Sequence, residues 1–310
     1  MQKYVIHRLL LTIPILLGVS FIIFTIISLT PGDPGRLILG ENAKQEAIDK
    51  LNSDLGFDKP FLVRYVKYIT DILFKLDFGI SYSTQKPVFD EIRSRLPNTL
   101  WLAVLSVIFS SIIGISLGIF AAVKQYSLLD NISTVLAMFF AVIPIFWFGM
   151  MLTYVFSLKL GWLPTSGIGT WKNFILPTVA LALNSAGGVL RLTRSTMLET
   201  IRQDYIRTAK AKGATSRVVI WKHALRNALL PVITTLGINF GHLLGGAVII
   251  ETVFSIPGLG TLIVSSIRLK DIPTVLSTTI LFAAFFCIIV LVVDILYAYI
   301  DPRIKAKYSR

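Results

Sequence analysis

Six stretches free of Lys, Arg, Asp and Glu, each near the length of a membrane-crossing helix, constrain this chain more than any other feature. They cover residues 9–29, 100–123, 132–158, 173–190, 227–250 and 272–293. A hydrocarbon core of roughly 30 Å takes about 20 helical residues. An open sheet in lipid would leave backbone N–H and C=O groups unpaired, so each stretch reads as a helix. The expected fold is therefore an all-α integral membrane protein with six transmembrane helices. Composition agrees: 54% of residues are hydrophobic and 15% charged, where a soluble domain has about a quarter charged. Cys287 is the one cysteine and lies in an apolar run, which excludes an intrachain disulfide and a cysteine-based zinc site.

Lys3 and Arg8 precede the first stretch, but Ser28-Leu29-Thr30-Pro31-Gly32 follows it with no small-residue cleavage site. It reads as an uncleaved anchor rather than a secretory signal. Six crossings place both termini on one side. With that side cytoplasmic, residues 1–8, the turn around Lys124, residues 191–226 and the tail from Asp301 carry 16 of the 30 basic residues. Only Asp130, Glu199, Asp204 and Asp301 oppose them. Residues 191–226 alone hold nine basic residues and two acids, so the excess sets topology. The net charge of +13 thus needs no nucleic acid, and no aromatic-interleaved basic motif accompanies it. The chain divides into residues 1–29 (cytoplasmic N-terminus and first span), an external insert at 30–98, and a five-span core at 99–310.

In the insert, ten basic and ten acidic residues cancel. Asp58-Lys59-Pro60 reads as a helix start, and Phe61, Tyr65, Tyr68, Ile69 and Ile72 recur at helical spacing. That amphipathic helix either lies at the membrane surface or packs on the spans as a scaffold. Residues 191–226 show helical periodicity on both sides of Gly213, which predicts two short helices broken by a left-handed residue. Ile201, Tyr205, Ile206 and Ala209 give this elbow an apolar face, expected to meet a partner.

Span five carries two stripes. Gly237, Gly241 and Gly245 repeat every four residues, the pattern that lets helices approach closely. Thr235, Asn239, His242 and Gly246 form a polar stripe, read either as lining for a translocation path or as interhelical hydrogen bonding. Glu251 and Asp294 border spans five and six, and Glu251 is read either as a cap or gate on the cargo's path or, the favoured reading, as a structural partner of Thr252 or a loop backbone. No P-loop, H-E-x-x-H or G-x-S-x-G occurs, and His7, His223 and His242 are scattered. No catalytic residue and no metal ligand is assigned. An intramembrane hydrolase is a remote reading, and a secondary transporter driven by an ion gradient is the main rival from another class.

Several motifs, in order, carry a resemblance. They are Tyr4 with Arg8-Leu9-Leu10, Leu55-Gly56-Phe57-Asp58-Lys59-Pro60, Arg95-Leu96-Pro97-Asn98-Thr99 and Leu163-Pro164-Thr165-Ser166-Gly167. Glu251-Thr252-Val253-Phe254-Ser255-Ile256-Pro257-Gly258-Leu259-Gly260 and Asp301-Pro302-Arg303 complete the series. The chain resembles, nearly end to end, the permease of dipeptide/oligopeptide/nickel-type ABC importers. Its elbow is similar to the coupling motif in which Glu-Ala-Ala is followed after three residues by Gly; Ala209 and Gly213 match, and Arg207 stands at the Glu position.

The resemblance implies that Tyr205, Arg207, Thr208, Ala209, Lys210 and Gly213 seat on a separate ATPase subunit, where ATP and Mg are bound; this chain binds no cofactor itself. It implies two ATPase subunits, a second homologous permease and an extracytoplasmic binding protein or lipoprotein, in a prokaryotic plasma membrane whose lipid surrounds the spans. The cargo implied is a short peptide, with nickel or a metal chelate as the alternative.

Overall fold

The computed structural model describes residues 2–29, 33–40 and 42–300. Pro31, Gly32 and the closing Asp301-Pro302-Arg303 lie outside the described residues, and so does the side chain of Asp294. In chain order the helices are α1 (Gln2–Leu29), α2 (Pro34–Leu39), α3 (Gln45–Asp54), α4 (Phe61–Lys75), α5 (Val88–Val123), α6 (Leu128–Val142) and α7 (Ile145–Leu152). Then follow α8 (Ile175–Ile201), α9 (Asp204–Ala211), α10 (Ser216–Val218), α11 (Leu225–Val253), α12 (Leu259–Arg268) and α13 (Ile272–Ile300). Among the described residues the only extended pairing is an isolated bridge between Ile80 and Pro87. Two compact units emerge, one built on Thr99–Ile256 with the chain from Ile288, the other on Arg8–Asn98 with Pro257–Cys287.

In the first unit, glycines bring helices onto α8 at backbone distance. A Cβ at Gly187 would lie 2.4 Å from the Ala137 carbonyl oxygen of α6. Cβ atoms at Gly114 and Gly118 of α5 would lie 2.6 Å from the Cβ atoms of Val189 and Thr193. Between helices in lipid there is little hydrophobic drive, so such close van der Waals packing supplies much of the association. Leu181, Ala247, Ile250 and Phe254 fill the core between α8 and α11.

The third sequence stretch, 132–158, is not one helix. α6 and α7, the latter continued by π-helical turns at Thr153–Lys159, meet at a 104° bend. Among the described residues, five helices are thus long and apolar enough to cross a membrane, or six if the bent pair counts as one span. The cause is Pro144. The residue before a proline is driven out of the helical region, and Ile143 has φ −62° and ψ 129°. Proline also has no N–H to give the carbonyl four residues back. That carbonyl belongs to Phe140, and Asn184 Nδ2 of α8 donates to it at 3.0 Å. α8 thereby supplies the donor that the broken helix lacks.

In the second unit, α4 starts at Phe61 with Pro60 as its cap. Its sequence-read apolar face packs on the spans. Tyr65 Oη donates to the Leu17 carbonyl at 3.0 Å, and Phe61 and Tyr65 set their rings edge-on to Phe21 and Phe24. Tyr68 shares a 3.0 Å hydrogen bond with Ser277, and Ile72 joins Phe78, Val88, Ile92, Leu259 and Leu262 in a buried cluster. The scaffold alternative therefore describes this face. The opposite face, with Leu62, Val66 and Leu73, is exposed.

Gly187 and Gly188 make a matched pair, since a Cβ at Gly188 meets nothing within 4 Å. In the isolated chain in detergent, Gly187→Ala should lower the melting temperature and the yield of folded protein. Gly188→Ala should leave both unchanged or raise stability by about 0.5–1 kcal/mol, the usual helical gain. Equal effects of the two substitutions would show that the approach of α6 to α8 does not depend on Gly187.

Candidate coupling elbow and the open face of α11

The long helix α8 extends past residue 190 to Ile201, so the segment expected as a loop at 191–226 begins with three more helical turns. It stops where Gln203 turns extended, with φ −69° and ψ 151°. α9 then starts at Asp204, whose charge suits a helix N-terminus. Gly213 ends the segment with φ +82°, and the Ala214 N–H closes on the Ala209 carbonyl at 3.1 Å. Helix resumes at Ser216 and passes through π-helical turns at Val219–Ala224 into α11. The break at Gly213 is the one read from the sequence. The break at Arg202–Gln203 is an addition to it.

Ile206 fastens α9 to its own chain. It is fully buried against Met197, Val219, Ala224, Ala228, Ile119 and Ala122, and removing such a side chain from water contributes about 1.5–3 kcal/mol. Of the apolar face expected to meet a partner, Ile206 and the half-buried Ile201 thus turn inward. Tyr205 stays 43% exposed and accepts a hydrogen bond from Asn227 Nδ2 at 2.9 Å. Arg207, Thr208 and Lys210 are exposed and Ala209 is half-buried. Arg207 comes only within 3.7 Å of Asp204, an exposed contact of little energetic weight. Val218 and Trp221 widen the exposed surface at 41% and 54%. Sequence reading did not single them out, although large apolar residues in a basic stretch outside the spans are a signal of that kind.

A salt bridge missed by the sequence reading braces this region. Arg194 of α8 grips Asp130 of α6 through Nε at 2.6 Å and Nη2 at 2.8 Å. The same carboxylate accepts from the Tyr126 N–H at 3.0 Å, which ties down the turn around Lys124. Asp130 is buried while Arg194 keeps 27% of its side chain exposed, so removing Arg194 would leave a buried carboxylate without its charged partner.

At the far end of α11, Glu251 is fully buried and accepts from Thr99 Oγ1 at 2.5 Å. Thr252, its expected partner, instead donates to the Val248 carbonyl at 2.8 Å. The Gly167 N–H donates to the Phe254 carbonyl at 3.0 Å. Three of the motifs quoted above thus meet through Thr99, Gly167 and the run from Glu251.

The stripes of α11 are apportioned differently from the reading above. Gly237 packs hard, since a Cβ there would lie 2.1 Å from Val293. A Cβ at Gly246, read as part of the polar stripe, would lie 3.3 Å from Leu181, while one at Gly245 meets nothing within 4 Å. Gly241 is half-buried. Ile238, His242, Gly245 and Ile249, at alternating steps of four and three, form one exposed face of the helix. Thr235 and Asn239 are half-buried at its border, and Thr235 Oγ1 bonds the Pro231 carbonyl at 3.0 Å.

Comparison with known proteins agrees with this architecture. Residues 114–306 match the family described as binding-protein-dependent transport system inner membrane component, and residues 1–103 match its N-terminal region. The glutathione transport system permease protein GsiC of Salmonella paratyphi A is 43% identical over 307 residues, 99% of this chain and 100% of the relative. The Escherichia coli protein of the same name is 43% identical over the same shares. Among solved structures, the inward-facing MetNI methionine ABC transporter gives a TM-score of 0.59 at 19% identity, covering 68% of this chain and 96% of the other. An amino acid ABC transporter gives 0.53 at 17% identity, covering 69% and 94%. These two likenesses show the fold. The chain belongs to the family of inner membrane components of binding-protein-dependent transport systems.

Proposed function

We propose that this chain is one of two permease subunits of an ATP-driven importer for short peptides, with ATP hydrolysed in separate subunits that seat on α9. The observation that carries the coupling role is the anchoring of α9. Ile206 holds it in the core beneath α8 and α11, while Tyr205, Arg207, Thr208 and Lys210 remain outside. A helix held so moves with its supports, and that is the requirement for passing a displacement of the ATPases to spans that bind no nucleotide.

The open face of α11 supports a second permease and the path itself. Ile238, Gly245 and Ile249 suit helix packing across such an interface, and His242 with Thr235 and Asn239 offers polar contacts to a peptide backbone. Relatives named for glutathione, a tripeptide, favour short peptides over a metal chelate as cargo. On this reading the elbow is cytoplasmic and the insert external.

In the assembled complex, Gly213→Val should reduce uptake and substrate-stimulated ATP turnover together by about tenfold or more. No atom crowds Gly213, so the loss arises from the positive φ, and Gly213→Asn, which tolerates that conformation, should keep most of both activities. Wild-type rates in Gly213→Val, or uptake that persists without ATPases, would refute the coupling role. Orientation has its own test, because Ser53 and Ser216 are both exposed. An impermeant thiol reagent on whole cells should label Ser53→Cys and spare Ser216→Cys; the reverse pattern would invert the topology.

A further inference from the structure

A cleft of about 540 Å³ opens in the second unit between the end of α1, the insert and the start of α13. Its walls are largely apolar, with Phe24, Ile27, Leu55, Phe57, Phe78 and Leu276 among them. One face of α4 contributes Val63, Arg64, Lys67, Tyr68 and Asp71, and Lys59 adds a further cation.

Among the described residues Arg64 forms no ion pair. Its guanidinium lies 5.5 Å from the Phe57 ring centre and 6.0 Å from that of Phe24, and its Nε is buried without a hydrogen-bond partner. The cleft's acids do not serve it. Asp71 takes Lys75 at 2.6 Å, Asp77 accepts from the Gly79 N–H at 2.8 Å, and Asp54 makes no ion pair among the described residues. An arginine in an apolar cleft, stacked on rings and unpaired, is arranged to take an oxyanion with an apolar body.

The position of the cleft selects the ligand. Phe24, Ile27 and Ser28 end the apolar run Leu9–Leu29, and Ile272, Pro273 and Leu276 open the run Ile272–Val293. Two span ends meet there, which is the depth of lipid phosphates. On the cleft side of α4, Val63 and Phe74 flank Lys67 and are 50% and 82% exposed, a surface for acyl chains. Lys59, Arg64 and Lys67 are matched along the walls by Asp54, Asp71 and Asp77, so selection of an anion rests on Arg64, which none of these acids engages. Burial raises the Tyr82 phenol above its ordinary range, with the Asp271 carboxylate adding and Arg64 opposing, so this hydroxyl stays a neutral donor at the cleft wall.

We infer that this cleft is a binding site for one anionic phospholipid, its phosphodiester on Arg64 and its apolar body against Phe24, Phe57 and Val63. The site holds lipid as a fixed part of the transporter rather than as solvent.

Native mass spectrometry of the detergent-purified complex, titrated with phosphatidylglycerol or phosphatidylcholine, tests this. The wild-type complex should keep one phosphatidylglycerol about tenfold more tightly than phosphatidylcholine. Arg64→Gln should remove that preference and Arg64→Lys restore part of it. Leu55→Trp, which narrows the rim without touching a charge, should also release the lipid, so a folding defect in one variant leaves the question decidable. Unchanged lipid retention in Arg64→Gln and Leu55→Trp would overturn the proposal. So would displacement of the lipid by millimolar inorganic phosphate, which would mark a site for a free anion. Wild-type lipid retention with weakened docking of the binding protein in Arg64→Gln would overturn it in favour of a protein contact.

Discussion

Close approach to α8 is the constraint on which the first unit depends. Between helices in lipid, burial of apolar surface gives little drive, and contact at backbone distance with satisfied polar groups takes its place. Gly187 admits the Ala137 carbonyl, and Gly114 and Gly118 admit Val189 and Thr193. Asn184 completes the Phe140 carbonyl that Pro144 leaves without a donor. The same helix carries Arg194, which holds Asp130 and the turn before α6, and it leads directly into the elbow. Any displacement of α9 is therefore referred to a helix whose neighbours touch it too closely to slide freely.

The energetic contrast within α9 sorts its residues. Ile206 contributes about 1.5–3 kcal/mol by burial, whereas the exposed Arg207–Asp204 contact contributes about 0–1 kcal/mol. One side chain fixes the helix and leaves Tyr205, Arg207, Thr208 and Lys210 exposed. Gly213 contributes no packing at all; its contribution is a backbone conformation that reverses the chain.

How much of this was legible in the sequence follows from the physics of each feature. Uncharged runs of membrane length gave the helices, and Gly213 gave the elbow break, because both depend on local composition. The size of the 104° bend at Pro144 has no local sign in the sequence, since the donor that makes it tolerable comes from Asn184, more than forty residues away. The glycine pattern was read on α11 alone, although Gly114 and Gly118 share the four-residue spacing. Gly245 and Gly246 are neighbours in the chain on different faces, and only the positions of α7 and α8 decide which of them packs. Ile206 reads as a partner contact from sequence because an amphipathic face looks the same whether its cover is another protein or the same chain. The Asp130–Arg194 pair and the unpaired Arg64 arise from tertiary proximity, for which sequence carries no local sign.

The central claim is that α9 transmits force because Ile206 plugs it into the core beneath α8 and α11. Ile206→Ala removes the plug at a cost of about 2–5 kcal/mol while leaving every exposed residue of the elbow in place. The direct measurement is the ratio of cargo imported to ATP hydrolysed by the reconstituted transporter carrying this substitution. On the present account the complex still assembles and hydrolyses ATP, and the ratio falls about tenfold or more. A wild-type ratio in an intact complex would contradict it, and would place the coupling in the exposed surface of α9 alone.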